Sequence, residues 1–365
     1  MRIETINNLA DFDRVAPRWQ ALFALDPEAH VFVCPRWLRD WYEVTPYRWQ
    51  VLAARGRDDG DYLGFCPLAP TRLSRFGVGL HSVLYLGGKP LADYTGFVCH
   101  PEHTGVVVRA FGAHIRERMS WDRFRPLHVM HSGYRAFFDA LADPHARCRE
   151  DAGTPCPRIE LPATWDTYVN EVLSSNARSN LRRGLRRIEG LRGFRATLAA
   201  CDDSLEHIDA LLRMWQQRWG ALSSCDADRY RWMYRLAIED GRLWLRMLWD
   251  GSTPVAGVAA FLEPVHRAFC YHVSGFNPDY QKYSPGRNVL SYCIRDAIEN
   301  HYRVFDFLLG GEAYKREFFG ATDRFAHSLT VDRRGLRHRV RRKLAQWLIP
   351  PPVAANRADP GQVAT

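Results

Sequence analysis

Two stretches in the second half of the chain gather side chains able to hold anions and move protons. The first runs Tyr271-His272 and then Gln281-Lys282-Tyr283-Ser284-Pro285-Gly286-Arg287. Pro-Gly after a polar loop is a helix opening, and a helix start presents unpaired backbone N–H groups and the positive end of the dipole. Gln281, Lys282, Ser284, Gly286 and Arg287 are therefore candidates to seat a diphosphate, although the same residues serve equally as an ordinary N-terminal cap. The second stretch carries Asp306, Glu312 and Lys315. Asp306 falls in an otherwise apolar run, where a carboxylate either pairs in a structural ion pair or has its pKa raised enough to act as a general base. Tyr271 and His272 alternate on a strand, so one of them faces the site; either side chain shuttles protons, and either fits a core position just as well. Glu312 and Lys315 follow a Gly-Gly turn, where a solvated surface pair is the plain reading. No Ser–His–Asp or Cys–His set, metal-ligand spacing or Walker loop is present, which leaves hydrolase, kinase and metal-centred chemistry without support.

The elements that must position these residues follow from periodicity. The first half opens with an amphipathic helix over Leu9–Leu25, in which Pro17 predicts a kink or split, and a short helix from Pro35 to Trp41. Strands are expected at Trp49–Ala54 and Tyr62–Thr71, joined by a turn at Arg57-Asp58-Asp59-Gly60, and at Ser82–Leu86 and Leu127–His131, with a helix over Val106–Arg118. The polar stretch from Asp143-Pro144 to Pro155-Cys156-Pro157 reads as a break between domains. Beyond it come a short strand (Arg158–Leu161), a long basic helix (Trp165–Glu189), a strand (Phe194–Ala199), and two helices (Leu205–Trp219, Ala227–Glu239). Strands Arg242–Trp249, Val255–Leu262 and Ala268–Ser274, a helix Asn288–Asn300, and strands Val304–Leu309 and Phe325–Val331 complete the half. This is an α/β (α+β) pattern of two lobes, each a mixed, mostly antiparallel sheet flanked by helices: 1–155, 156–335, and a basic tail at 336–365.

With 365 residues, 46% hydrophobic, there is enough chain for two cores. The net charge of +9 favours anionic partners. Nine scattered cysteines without a CxxC pair, together with the polar start Met1–Thr5 and the absence of an 18-residue apolar run, point to a cytoplasmic protein with reduced thiols. Arg178, Arg182 and Arg186 form one stripe of the basic helix; Arg182 and Arg186 are candidates to anchor a phosphate-bearing acceptor, against the plainer reading of a solvated face. Residues 333–349 alternate Arg/Lys with Leu336, Val340, Leu344 and Trp347, a pattern suited to lying on the anionic inner face of a membrane or docking on its own lobe. Neither stretch interleaves exposed aromatics, so a nucleic-acid-binding module has little support.

Several motifs together resemble the GNAT acyltransferase superfamily: the strand–Ser284-Pro285-Gly286–helix unit, Asp306-Phe307 leading to Gly310-Gly311, and Tyr314-Lys315 leading to Phe318-Phe319-Gly320. The chain looks most like the CelD/BcsL-like branch, associated with cellulose and exopolysaccharide biosynthesis and related to the FemAB peptidyltransferases; Leu86-Gly87-Gly88 with Asp93-Tyr94 adds to the likeness. The resemblance implies an acyltransferase moving an acyl group, acetyl above all, from a CoA thioester to an amine or hydroxyl of an envelope or exopolysaccharide precursor, such as a lipid- or nucleotide-linked sugar. It implies that two sheet strands splay apart to admit the pantetheine arm, here Val255–Leu262 and Ala268–Ser274, with backbone N–H groups of Val258, Ala259 and Ala260 polarising the thioester. It also implies that Lys315 steadies developing negative charge, and that Asp93, Tyr94 and Glu312 meet the acceptor. The usual superfamily loop has two closely spaced glycines and this chain has only Gly286, which keeps open a FemAB-like transfer from charged tRNA. A catalytically inactive accessory of polysaccharide synthesis is the non-enzyme alternative.

Overall fold

The computed structural model describes residues 1–334 except 47, 57–59, 76–77, 144–145, 201 and 221–223. The expected turn at Arg57–Gly60 and the basic stretch 333–349 thus lie largely outside the described residues. In order, the elements are β1 (Arg2–Ile6), α1 (Leu9–Leu25), α2 (Pro35–Val44), β2 (Gln50–Arg55), β3 (Tyr62–Arg75), β4 (Val78–Leu86), β5 (Val98–Cys99), α3 (Thr104–Arg118), β6 (Arg123–Arg125), α4 (Tyr134–Leu141) and β7 (Ala146–Glu160). Then follow α5 (Trp165–Thr167), α6 (Ser175–Glu189), β8 (Phe194–Leu198), α7 (Ser204–Trp219), α8 (Ser224–Glu239), β9 (Leu243–Asp250), β10 (Thr253–Glu263), β11 (Ala268–Phe276), α9 (Pro285–Glu299), β12 (Val304–Asp306), α10 (Ala313–Phe319) and β13 (Thr322–Arg333). The described residues fold into two compact units: Met1–Thr154 with the chain from Phe325 to Arg334, and Pro155–Arg324.

In the first unit β1, β2, β3 and β4 pair antiparallel in sequence order, β6 joins β4 in parallel, and β13 joins β6 antiparallel. α1 is one helix through Pro17, capped by Asn8, whose side chain accepts the Asp11 N–H at 2.8 Å. Its buried stripe is Phe12, Val15, Trp19, Leu22 and Phe23. Trp19 stacks on Phe65 with ring centroids 4.6 Å apart, a burial worth about 2–3 kcal/mol. The strand expected over Leu127–His131 is not formed. Pro126 supplies no N–H and His128 has φ +53°, so only Val129 keeps isolated bridges, to Thr95 and His327.

In the second unit β8, β9, β10 and β11 pair antiparallel in sequence order, β12 joins β11 in parallel, and β7 joins β12 antiparallel. The order repeats that of the first unit, so the two lobes are versions of one fold. The polar stretch 143–157, read as the break between domains, is mostly strand β7, and the two units divide within it, between Thr154 and Pro155. Pro155 and Pro157 are tolerated there because a proline loses only its donor; their carbonyls accept N–H bonds from Gly310 and Phe307. Phe325–Val331, expected to close the second sheet, belongs to the first unit, where Val331 pairs with Phe124. The second core packs α6 and α9 on the sheet through Leu181, Ile188, Val289, Ile294, Val258 and Phe305. Cys66, Cys99, Cys270 and Cys293 are buried free thiols, their pKa values pushed up by burial.

Candidate active site

The opening in the second sheet is one strand away from where the sequence places it. β10 is bonded on both edges: Val258, Ala259 and Ala260 sit opposite Arg246, Leu245 and Trp244 of β9, and opposite Ser274, Val273 and Tyr271 of β11. A strand with both edges in the ladder has no amides to offer a thioester, so Val258, Ala259 and Ala260 are core residues, each fully buried. The splay lies between β11 and β12. These two pair only over Ala268–Cys270 and Val304–Asp306, after which β11 continues to Phe276 while the partner chain turns away. Three local features turn it. Asp306 Oδ1 accepts the Leu308 N–H at 2.8 Å, Leu308 takes φ +55°, and Phe307 and Gly310 give their N–H groups to β7. The run Val304–Leu309 is therefore a strand for only its first three residues. In the first unit β4 and β6 pair at Val83–Tyr85, immediately before β4 ends at Leu86, and no comparable length of strand diverges.

The bulge in the β10–β11 ladder falls at His272 and sets which groups face the gap. The Asn277 N–H donates to Val255 O at 2.9 Å, so by alternation the Ser274 N–H points away from β10, toward the side that β12 has left. Tyr271 and Ser274 share a face, their hydroxyls 2.5 Å apart. Phe307 packs edge-on to the Tyr271 ring at 5.8 Å, and Lys315 Nζ lies 6.0 Å from the centre of that ring. Lys315 is not a surface lysine: it is 1% exposed, with Nζ 2.8 Å from the Glu312 carboxylate and 2.9 Å from Gly310 O. His272 faces the other way, its Nδ1 2.7 Å from the Tyr234 hydroxyl on α8, with the Phe261 ring beside it. The structure thus brings Tyr271, Glu312 and Lys315 together with Ser274 and leaves His272 on the opposite face. Asp306 stands at the turn that opens the gap.

At the mouth of the gap, α9 begins. Ser284 is left-handed (φ +53°), and its carbonyl takes the N–H groups of Arg287 and Asn288; Pro285 has none, so Gly286 supplies the first amide of the helix not taken by that carbonyl. Gly286 is not required for packing. A Cβ there would meet only Phe276 Cδ1, at 3.5 Å, and no positive φ demands glycine. Cations surround this point. Arg287 donates to Ser284 Oγ at 2.9 Å, Lys282 Nζ lies 5.1 Å from the Tyr283 ring centre and Arg187 Cζ 5.9 Å from it. Burial and then the charge of Arg183 lower the pKa of Arg287, the mark of like charges gathered together. Gln281 and Lys282 are exposed on the short 3-10 turn before Ser284.

The basic helix α6 contributes differently from its sequence reading. Arg178 is structural: it donates to the carbonyls of Val169 and Asn170 at 2.9 and 2.7 Å, closing the preceding turn. Arg182 and Arg186 are exposed, Arg182 reaching Asn170 Oδ1 at 3.5 Å. It is Arg183 and Arg187, one residue along, that stand at the start of α9; the packing of Leu181 and Ile188 against the core fixes that rotation, and the stripe chosen from sequence missed it. Ser274 was also missed, because only the bulge at His272 returns it to the face of Tyr271. In the first unit Asp93 and Tyr94 are not open to an acceptor. Asp93 is buried, its carbonyl accepting from Lys89 Nζ at 2.8 Å, and Tyr94 is a core ring beside His30 and Phe32.

A family model described as an acetyltransferase (GNAT) domain matches residues 175–316, a span running from α6 through Lys315. No curated protein matches the chain. Among solved structures, FemX is similar with a TM-score of 0.63 at 12% identity, over 90% of this chain and 96% of that one. A tandem GNAT protein from the clavulanic acid biosynthesis pathway is similar at 0.52 and 13% identity, over 92% and 99%. L-PGS from Bacillus licheniformis is similar at 0.53 and 11% identity, over 91% and 96%. Identities this low speak for the fold alone, and what they establish is that this chain carries two tandem lobes of GNAT-like fold.

Proposed function

We propose that the protein is an acyltransferase whose second lobe takes an acyl group, acetyl first among them, from a CoA thioester and passes it to an amine or hydroxyl of an envelope or exopolysaccharide precursor. The observation that carries this reading is the opening of β11 from β12 beside a glycine that packing does not require, ringed by Lys282, Arg287, Arg183 and Arg187. A diphosphate at Gly286 would meet a helix N-terminus and charge-assisted donors, which fits the chemistry of this donor. The pantetheine arm would run along β11, where the Ser274 amide points. As the acceptor attacks the carbonyl carbon, negative charge grows on the carbonyl oxygen and then on sulfur when the C–S bond breaks. Fixed donors aimed at that charge supply most of the rate, and Lys315, held in place by Glu312 and the carbonyl rim, is the cation available. The coupled hydroxyls of Tyr271 and Ser274 would relay the proton that the attacking amine or hydroxyl gives up to the departing thiolate, so that the pair ends as it began. The envelope acceptor rests on the CelD/BcsL-like motifs. Among the described residues no helix is long and apolar enough to cross a membrane; a cytoplasmic site, with residues 333–349 touching anionic lipid, remains part of the proposal.

Exposed Arg182 and Arg186 favour a second reading, a charged tRNA as donor. Calorimetric titration separates the two. Acetyl-CoA binding that tolerates moderate salt supports the first reading. Failure to bind at millimolar acetyl-CoA, with tRNA binding that falls steeply with salt, supports the second.

A further inference from the structure

We propose that His100, Glu102 and His103, at the turn leading into α3, form a binding site for a late first-row divalent cation of the zinc and nickel class. Glu102 and His103 lie in a short 3-10 turn, Pro101–His103, and His100 is the extended residue that caps its start. The tight turn leaves the imidazoles of His100 and His103 5.2 Å apart between ring centres. One ligand atom from each of the three residues lies within 4.8 Å of the other two. The backbone beneath them is fixed. The His100 N–H donates to Leu63 O of β3 at 2.9 Å, and the His103 N–H and the Thr104 hydroxyl both donate to His100 O, at 2.9 and 3.2 Å. Assembling the ligands therefore needs side-chain rotations only.

A second observation points to a ligand. His100 Nδ1 is hidden from solvent and has no hydrogen-bond partner among the described residues, a buried ring nitrogen left unsatisfied. The positive end of α3 works against a cation here, and the Glu102 carboxylate is the charge that offsets it. Two imidazoles and one carboxylate suit zinc, nickel or cobalt(II) and do not suit magnesium, which prefers an all-oxygen shell. Three protein ligands on an exposed turn leave coordination positions for water. The site belongs to the first lobe, and a bound ion would staple the turn from which α3 starts.

The test uses the full chain without a histidine tag and ZnCl2 as the probe, with MgCl2 as control. Glu102 and His103 are both exposed, so the double variant E102Q/H103A keeps the fold, checked by circular dichroism and by unchanged acetyl-CoA titration. Calorimetry should show one zinc site in the wild type that is weakened at least tenfold in the variant, gives no heat with magnesium, and fades as pH falls and protons compete for the imidazoles. Equal zinc stoichiometry and affinity in wild type and variant, or no zinc bound by the wild type at about 100 µM, would overturn the proposal.

Discussion

Lys315 Nζ lies 2.8 Å from the Glu312 carboxylate, three residues earlier in the chain, at a point where the lysine is almost wholly buried. A buried ammonium also facing the carbonyls of Phe307, Leu309 and Gly310 holds the turn after β12 in shape as well as supplying charge. Lys315→Met should therefore lower stability by about 3 kcal/mol, because it leaves Glu312 without its partner. It should also lower kcat roughly 100-fold in protein still folded. Urea denaturation alongside single-turnover kinetics checks both; loss of stability with full kcat would leave Lys315 a structural residue only.

Gly286 and Gly275 make a contrasting pair. At Gly275 a Cβ would lie 2.7 Å from Met214 Cβ and 2.7 Å from Trp215 N, so Gly275→Ala should cost about 1–3 kcal/mol through overpacking against α7. At Gly286 the space is open, and Gly286→Val should change stability by less than about 1 kcal/mol while weakening acetyl-CoA binding tenfold or more. Thermal denaturation and calorimetry on the two variants distinguish a packing glycine from a ligand-approach glycine.

Arg183 and Arg187 supply charge to the same point. Arg183→Ala with Arg187→Ala should raise the acetyl-CoA Kd about tenfold and flatten its salt dependence, whereas Arg182→Ala with Arg186→Ala should leave it within about twofold. The reverse ranking would return the anion site to the stripe read from sequence.

A fourth prediction concerns the first lobe. Asp26, 2% exposed, accepts the N–H groups of Cys99 and Glu28 at 2.8 and 3.0 Å and lies 3.3 Å from His131 Nε2. Burial raises its pKa, but the His131 hydrogen bond and charge, together with the two amides, outweigh burial and hold it below the usual carboxylate range. A depressed folded pKa stabilises fully above the unfolded value near 3.9, and that contribution is lost as pH falls through the folded value. Asp26→Asn should cost about 2–3 kcal/mol at pH 7, with the gap to wild type closing below about pH 4. A gap constant from pH 7 to 3 would contradict the assignment.

Much of this was legible in the chain. Helical spacing gave α1 and its buried stripe, and Pro285-Gly286 marked the start of α9 because proline's fixed φ and missing N–H suit a first turn. What escaped was long-range. β7 looks like a linker because its prolines and charges follow no strand pattern, and it is pairing with β12, together with carbonyls accepting from Phe307 and Gly310, that makes it a strand. The opening lies one strand from where the resemblance implies it: apolar Val304–Leu309 reads as continuous, whereas Asp306 and left-handed Leu308 end it after three residues. Lys315 reads as solvated by composition, and its burial depends on carbonyls that no local pattern announces.

The most direct measurement is a crystal structure of the full chain with a non-hydrolysable acetyl-CoA analogue. The account predicts the pantetheine arm between β11 and the diverging Phe307 segment, with the diphosphate on the Gly286 N–H and within reach of Arg183 and Arg187. An analogue bound elsewhere, with nothing between Ser274 and Phe307, would contradict it.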